Sequence, residues 1–459
     1  MNSRIEQHAH EYAGKTAVVV GAGGSGRAAA RLLGELGAHV RVLDRDLAHL
    51  PDDFKALAAE RGFELAGGAH RAEHFDGADL VIMSPGVPVA AITPLLAERG
   101  RPEIIGELEL AARLVTEPII AVTGTNGKTT TVTLAARILA SVGRKVFLGG
   151  NVGTPLCEYV LTGDRADCLV LEVSSFQLQT SVTFKPWVGV LLNFSPNHLD
   201  YHADMDEYLD AKLKLFANQE EHELAVLPAA QRELLEPRLA TRARVVWYAP
   251  QQRFHSAGLT GAHNQANMEA AYQACRYLGV TECEAQIALG AVEAMPNRLE
   301  RVVETNGVLF VNDTKATTVE AVAAALAASD RPVRLLAGGK WKGGDFAVLR
   351  PLVREKVRAV GLYGASREIF EQGLSGAAGA GTDVELFWEE TMEAAARRLY
   401  AGAAPGDAVL LSPATSSFDQ YKDYQARGDD FRRIARAIAT EQAGNAATAA
   451  TPKAAGGAQ

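Results

Sequence analysis

The chain has 459 residues, of which 46 are Lys or Arg and 55 Asp or Glu, for a formal net charge of −9. This balance excludes a general nucleic-acid binder but leaves room for a local pocket that takes an anion. With 47% hydrophobic and 22% charged residues the composition is globular, and the length suits about three domains. The four cysteines, Cys157, Cys168, Cys275 and Cys283, lack disulfide density and metal-ligand spacing. They read as reduced thiols of a cytoplasmic protein. The polar first twenty residues carry no signal-peptide pattern, and no apolar run approaches the roughly 20 residues of a membrane span.

In chain order, the β-branched run Thr16–Val20 predicts a strand that ends in a glycine-rich turn, residues 21–26. Ala29, Leu32, Leu33 and Leu36 then share a helical face, and a second strand, 39–43, closes on Asp44. Gly-x-Gly-x-x-Gly with an acid some twenty residues on is the dinucleotide fingerprint. It fits an NAD-dependent oxidoreductase, another nucleotide diphosphate, or glycines that only permit close strand–helix packing. Asp79 to Met83 predicts a further strand before the turn Ser84-Pro85-Gly86, which reads either as a ligand-binding turn or as a bend.

The stretch 121–130, Ala-Val-Thr-Gly-Thr-Asn-Gly-Lys-Thr-Thr, lies between an apolar strand and a helix. Its glycines and the helix start aim several N–H groups at one point, which suits a polyphosphate. Lys128 is placed to reach the outer phosphates, and the Thr129 hydroxyl to ligate Mg2+. A strand over 167–173 delivers Glu172. A carboxylate at the end of an apolar strand is costly to bury alone, so it reads as a Mg2+ ligand or as an acid bonded to backbone N–H groups. After the strand 188–192, His198 and Asp200 stand in a polar cluster suited to metal or phosphate. On the helix 208–216, Lys212 shares the face of Tyr208 and Phe216. It is either a solvated lysine or a buried neutral amine able to react with CO2. Asn264 and Asn267, one turn apart, suit an adenine edge or a helix cap.

Strands over 308–312, 333–337, 357–362 and 408–411 alternate with helices and predict another doubly wound sheet. The hydroxyl-rich turn 412–417, followed by aromatics and cations, suits a small dicarboxylate. Residues 441–459 are mostly Ala, Gly and Thr and read as a disordered tail.

Thr-Gly-Thr-Asn-Gly-Lys-Thr, Gly-Gly-Asn-Val-Gly, Leu-Glu-Val-Ser-Ser-Phe-Gln, Asn-His-Leu-Asp and Asn-Asp-Thr-Lys-Ala-Thr, taken together, resemble the Mur ligases, the ATP-dependent amide-forming enzymes of peptidoglycan assembly. The C-terminal Leu-Ser-Pro-Ala-Thr-Ser-Ser-Phe-Asp-Gln-Tyr is similar to the D-glutamate-adding branch of that family. The resemblance implies three α/β domains: an N-terminal Rossmann-like domain (1–108), a central P-loop ATPase with a mostly parallel sheet (109–298) and a C-terminal Rossmann-like domain (299–440). It implies a cytoplasmic monomer that adds D-glutamate to UDP-N-acetylmuramoyl-L-alanine through an acyl phosphate, with no nucleic-acid partner and no membrane insertion.

The same resemblance implies the site residues. Gly124, Thr125, Asn126, Gly127, Lys128, Thr129 and Thr130 would hold ATP phosphates, with Asn264 and Asn267 near the adenine and Arg298 and Asp313 completing the nucleotide site. Thr129, Glu172, His198 and a carbamylated Lys212 would serve two Mg2+ ions. Gly24, Ser25, Asp44 and Gly86 would hold UDP, and Asn151 and His198 the muramoyl group. Thr317, Lys342, Ser417, Phe418 and Tyr424 would hold D-glutamate. Lys128, His198 and Lys212 are the implied catalytic residues, and the junction at 297–299 the implied hinge.

Overall fold

The computed structural model describes residues 2–97, 102–198, 201–256, 258–259, 261–292 and 296–449, with side chains to 443. Asp200 and residues 450–459 lie outside them. Three sheets organise the chain. The first contains β1 (Thr16–Val20), β2 (His39–Asp44), β3 (Glu64–Gly67), β4 (Leu80–Met83) and β5 (Glu103–Gly106), in the order β3-β2-β1-β4-β5, all parallel. The second contains β6 (Ile119–Thr123), β7 (Val146–Gly150), β8 (Cys168–Glu172), β9 (Val188–Leu191), β10 (Leu224–Pro228) and β11 (Arg244–Tyr248), ordered β11-β10-β9-β6-β8-β7 and again parallel. The third contains β12 (Glu300–Thr305), β13 (Val308–Asn312), β14 (Val333–Gly338), β15 (Val357–Tyr363), β16 (Glu385–Trp388) and β17 (Ala408–Leu411), ordered β12-β13-β17-β14-β15-β16. Only the β12–β13 hairpin in it is antiparallel.

The central strands are short, fully buried and rich in Val, Ile and Leu, as strands covered by helices on both faces must be. Each sheet reverses its strand order near the middle. In open α/β sheets, ligands bind beyond the strand C-termini at such a reversal. The turn after β1 sits there in the first sheet, the turn after β6 in the second, and the loops after β13, β14 and β17 in the third.

The chain forms two compact units. The first two sheets belong to one, and within it they are tied by buried contacts. The helix Ser3–Tyr12 sets Arg4 against Glu117 and the Tyr159 ring, and Cys157 N donates to Glu107 Oε1 at 2.6 Å. The third sheet, with His198 and Asn264, belongs to the other.

The expected core strands are present, within a residue or two of their predicted ends. Four strands escape sequence reading: β3, β5, β12 and β16. All lie at sheet edges, where half-exposed side chains break the apolar run that marks a buried strand. Gly106 ends β5, and the helix that follows spans Glu107–Ala112. The last helix, Tyr424–Ala449, runs past residue 441, where the composition predicts disorder. Alanine is the best helix former, so an Ala-rich extension of an anchored helix continues it.

Candidate active site

The turn after β6 is held from β9. Thr125 N donates to Asn193 O at 3.0 Å, Asn126 N to Asn193 Oδ1 at 2.9 Å, and Asn193 Nδ2 back to Asn126 O at 3.0 Å. Gly127 has φ +85°, and a Cβ on it would lie 2.4 Å from Asn267 Oδ1. Any other residue there would be strained by the left-handed backbone and would have to displace the Asn267 amide. The position also brings Asn267 against the turn. The helix Lys128–Ser141 starts immediately after it, so its unsatisfied N–H groups and the positive end of its dipole face the turn. Lys128 Nζ donates to Gly124 O at 2.8 Å and Thr125 O at 3.0 Å, curling its charge over the loop. Thr130 is buried.

β8 runs beside β6 and carries Glu172 to the same edge. The carboxylate is buried and accepts from Thr129 Oγ1 at 2.7 Å and Asn151 Nδ2 at 2.9 Å. Of the two readings the sequence allows for Glu172, the backbone-bonded acid does not hold: both donors are side chains, and both are expected site residues. Among the described residues no three His, Cys, Asp or Glu side chains converge on a metal position. Thr129 and Glu172 offer an ion a hydroxyl and a carboxylate oxygen at one point. That donor set fits Mg2+, which keeps waters and leans on substrate phosphates.

Lys212, on the helix Met205–Ala217, is 1% exposed. Its Nζ donates to Gly124 O at 3.1 Å and lies 4.5 Å from the centroid of the Tyr208 ring, whose hydroxyl is 3.3 Å from Thr125 Oγ1. Burial, aided by the nearby Lys128 charge, pushes its pKa well below the usual lysine value. The solvated-lysine reading is excluded: the amine is buried beneath the glycine turn, where burial disfavours its charged form.

The turn after β1 is also closed by its neighbours. Ala22 N donates to Asp44 Oδ2 at 2.6 Å, and Ser84 Oγ to Gly21 O at 2.6 Å. Asp44 and the Ser84–Gly86 turn thus meet the glycine turn, with Gly24 and Ser25 opening the following helix.

In the second unit, the loops after β13, β17 and β14 are adjacent because their strands are. Asp313 is buried and accepts from Ser412 Oγ at 3.0 Å and Leu299 N at 3.2 Å. Burial pushes its carboxyl up to about 7, against the opposing hydrogen bonds from Ser412 and Leu299 and the weaker pull of Arg298. Ser417 is buried and Phe418 is 70% exposed. The Lys315 ammonium lies 4.0 Å from the Tyr424 ring centroid, and Thr317 and Lys342 stand on the loops after β13 and β14. Non-glycine residues take positive φ at His198 (58°), Asn297 (67°) and Leu299 (43°).

Three family descriptions match successive parts of the chain: "Mur ligase MurD-like, N-terminal domain" over residues 15–106, "Mur ligase middle domain" over 122–268 and "Mur ligase, glutamate ligase domain" over 297–415. A relative from Oleidesulfovibrio alaskensis named UDP-N-acetylmuramoylalanine–D-glutamate ligase is 53% identical, covering 94% of this chain and 95% of its own. The chain belongs to the Mur ligase family. A relative of the same name from Lawsonia intracellularis is 46% identical over 92% of this chain and 94% of its own. Among solved structures, the MurF ligase from Thermotoga maritima in complex with ADP superposes with a TM-score of 0.59 at 17% identity, covering 89% of this chain and 96% of its own. A pseudomurein peptide ligase type C from Methanothermus fervidus gives 0.54 at 19%, covering 92% and 100%. These two likenesses carry the three-domain α/β fold.

In this Mur ligase, Lys128, Thr129, Glu172, Asn151, Asn267 and Lys212 come together around one turn. His198, Asn264, Arg298, Asp313, Thr317, Lys342, Ser417, Phe418 and Tyr424 belong to the second unit. Sequence reasoning passed over Asn193, which fastens the phosphate turn from β9. Its signal was available: a polar residue directly after a buried strand that neighbours the turn.

Proposed function

We propose that this Mur ligase adds D-glutamate to UDP-N-acetylmuramoyl-L-alanine with cleavage of ATP, as a monomer in the cytoplasm where that step of peptidoglycan synthesis occurs. The observation that carries the reading is the grouping of Lys128, Thr129, Glu172 and Asn151 at one strand-to-helix turn in a chain with relatives named for this reaction. Among the described residues no helix is long and apolar enough to cross a membrane. We take the working domains as 1–108 for the UDP-linked substrate, 109–298 for ATP and 299–440 for the amino acid.

A carboxylate is a poor acyl donor because its leaving group would be oxide. In the proposed sequence the L-alanyl carboxylate oxygen attacks the γ-phosphorus, a P–O bond to ADP breaks, and an acyl phosphate forms. The amine of D-glutamate then attacks the acyl carbon through a tetrahedral intermediate, and phosphate leaves. Two anions must meet in the first step, and Lys128 lowers their repulsion with the helix start behind it. Thr129, Glu172 and His198 would hold two Mg2+ ions, which supply charge neutralisation on the phosphates. Lys212, whose burial disfavours the charged form, would add CO2 and release a proton, giving a carbamate anion suited to the second ion.

Other roles follow the family pattern. Gly24, Ser25, Asp44 and Gly86 would receive UDP, and Asn151 with His198 the muramoyl group. Asn264, Asn267, Arg298 and Asp313 would receive the nucleotide of ATP, and Gly124 to Thr130 its phosphates. Thr317, Lys342, Ser417, Phe418 and Tyr424 would receive D-glutamate. The test is phosphate release with UDP-N-acetylmuramoyl-L-alanine and ATP, run with D-glutamate, with L-glutamate and with neither. Release that requires the D-isomer is expected. Equal release with L-glutamate, or NADH turnover in place of ADP formation, would overturn the reading.

A further inference from the structure

Arg427 lies in the first turn of the helix Tyr424–Ala449 and is 0% exposed, among the largest fully buried side chains of the protein. Burying a guanidinium is costly, and the usual compensation is a carboxylate. Among the described residues none pairs with it. Its partners are neutral: Nε donates to Thr314 Oγ1 at 2.8 Å, and Nη2 to Thr314 O at 2.9 Å and Thr415 O at 3.2 Å. Nη1 and the nearby Tyr363 hydroxyl are both buried, and neither makes a well-formed hydrogen bond. A side chain serving stability alone would be better replaced by an apolar one of like volume.

Its placement suggests another task. Thr314 directly follows Asp313 and stands three residues before Thr317; Thr415 stands two before Ser417. One planar fork therefore bridges the loop after β13 to the loop after β17. The loop after β14 joins the same knot: Thr415 Oγ1 donates to Gly338 O at 2.6 Å, and a Cβ on Gly339 would come within 3.2 Å of Nη1. These are the loops that the proposed function gives to the amino-acid substrate. Arg427 itself is sealed beneath them, so it can act on a ligand only through their spacing.

We propose that Arg427 is a positioning residue that sets the distance between the Thr317 and Ser417 loops, and thereby the affinity for the dicarboxylic amino acid. The inference rests on the assignment of those loops to D-glutamate. Lysine keeps the charge but cannot bridge three acceptors in one plane. Arg427→Lys is therefore expected to raise the KM for D-glutamate at least tenfold, leaving the KM values for ATP and UDP-N-acetylmuramoyl-L-alanine within about twofold and thermal unfolding within a few degrees. Thr314→Val, which at constant shape removes the acceptor of Nε and the hydroxyl's own bond to Tyr424 O at 3.2 Å, should move the same constant in the same direction. It serves as the test should Arg427→Lys not fold.

Ser417→Ala controls the underlying assignment. If it raises the D-glutamate KM while folded Arg427→Lys and Thr314→Val leave it unchanged, the positioning role is wrong and the pocket stands. If Ser417→Ala and Lys342→Met both leave that KM unchanged, the pocket assignment fails and takes the inference with it. A parallel loss of all three KM values, kcat and melting temperature in both Arg427→Lys and Thr314→Val would reduce Arg427 to scaffold and overturn the proposal.

Discussion

The turns after β1 and β6 are built alike and equipped differently. Each follows the central strand of a parallel sheet, each stands where the strand order reverses, and each opens a helix. The first is closed by its neighbours' backbone and by Asp44 and Ser84, and it presents main chain. The second is closed by Asn193 and adds Lys128, Thr129 and, from the adjacent strand, Glu172. A glycine turn alone can hold a diphosphate passively. Phosphoryl transfer needs charge aimed at the group that moves. Beyond an extended Gly23 before one helix and a left-handed Gly127 before the other, the contrast lies in three side chains, Lys128, Thr129 and Glu172.

The sharpest way to break that contrast is Lys128→Ala. Turnover measured as ADP release should fall by about 10³-fold or more, while the melting temperature stays within a few degrees, because the Nζ bonds to Gly124 O and Thr125 O lie within the turn itself. Near-normal turnover would make the two turns equivalent and sink the assignment. Lys212→Ala should lower activity by about 10²-fold, with part of it restored by short-chain carboxylates such as acetate or propionate. An unaffected variant would reject the carbamate role.

The first turn is tested by paired glycines. A Cβ on Gly26 would lie 1.9 Å from Gly21 O, whereas a Cβ on Gly24 meets nothing within 4 Å. Gly26→Ala should cost about 3 kcal/mol in denaturant unfolding, at the upper end of the overpacking range. Gly24→Ala should fold within about 0.5 kcal/mol of the parent yet raise the KM for the UDP-linked substrate several-fold. Equal stability of the two variants would mean that the turn does not pack as described.

The smallest expected effect concerns the seam between the two sheets. Burial pushes the Glu107 carboxyl up to about 7, its Oε2 has no partner in range, and Glu158 adds repulsion. With the folded pKa above the unfolded one, the folded state holds the extra proton. Stability should therefore decline as pH rises from about 4.5 to about 7, and stay level above that. Glu107→Gln keeps the acceptor for Cys157 N and should abolish this slope, gaining about 2 kcal/mol at pH 8. A slope identical to the parent's in thermal unfolding across pH 5–8 would assign it to other groups.

The sequence by itself determined the α/β class, the buried strands, the phosphate turn and the family. Each of these is written in contiguous residues: an apolar run, a glycine spacing, a Gly-Lys-Thr. It left open whether Lys212 was solvated and what held Glu172, because helical spacing gives a face but not the atoms packed against it. It missed the edge strands, whose half-exposed residues lack a periodic signal. Only the tertiary structure put Asn151 and Thr129 on one carboxylate across 43 residues of chain, and Arg427 beneath loops more than 100 residues apart in sequence. Burial, desolvation and the convergence of strand ends depend on which strands lie side by side, and that order is a property of the folded sheet.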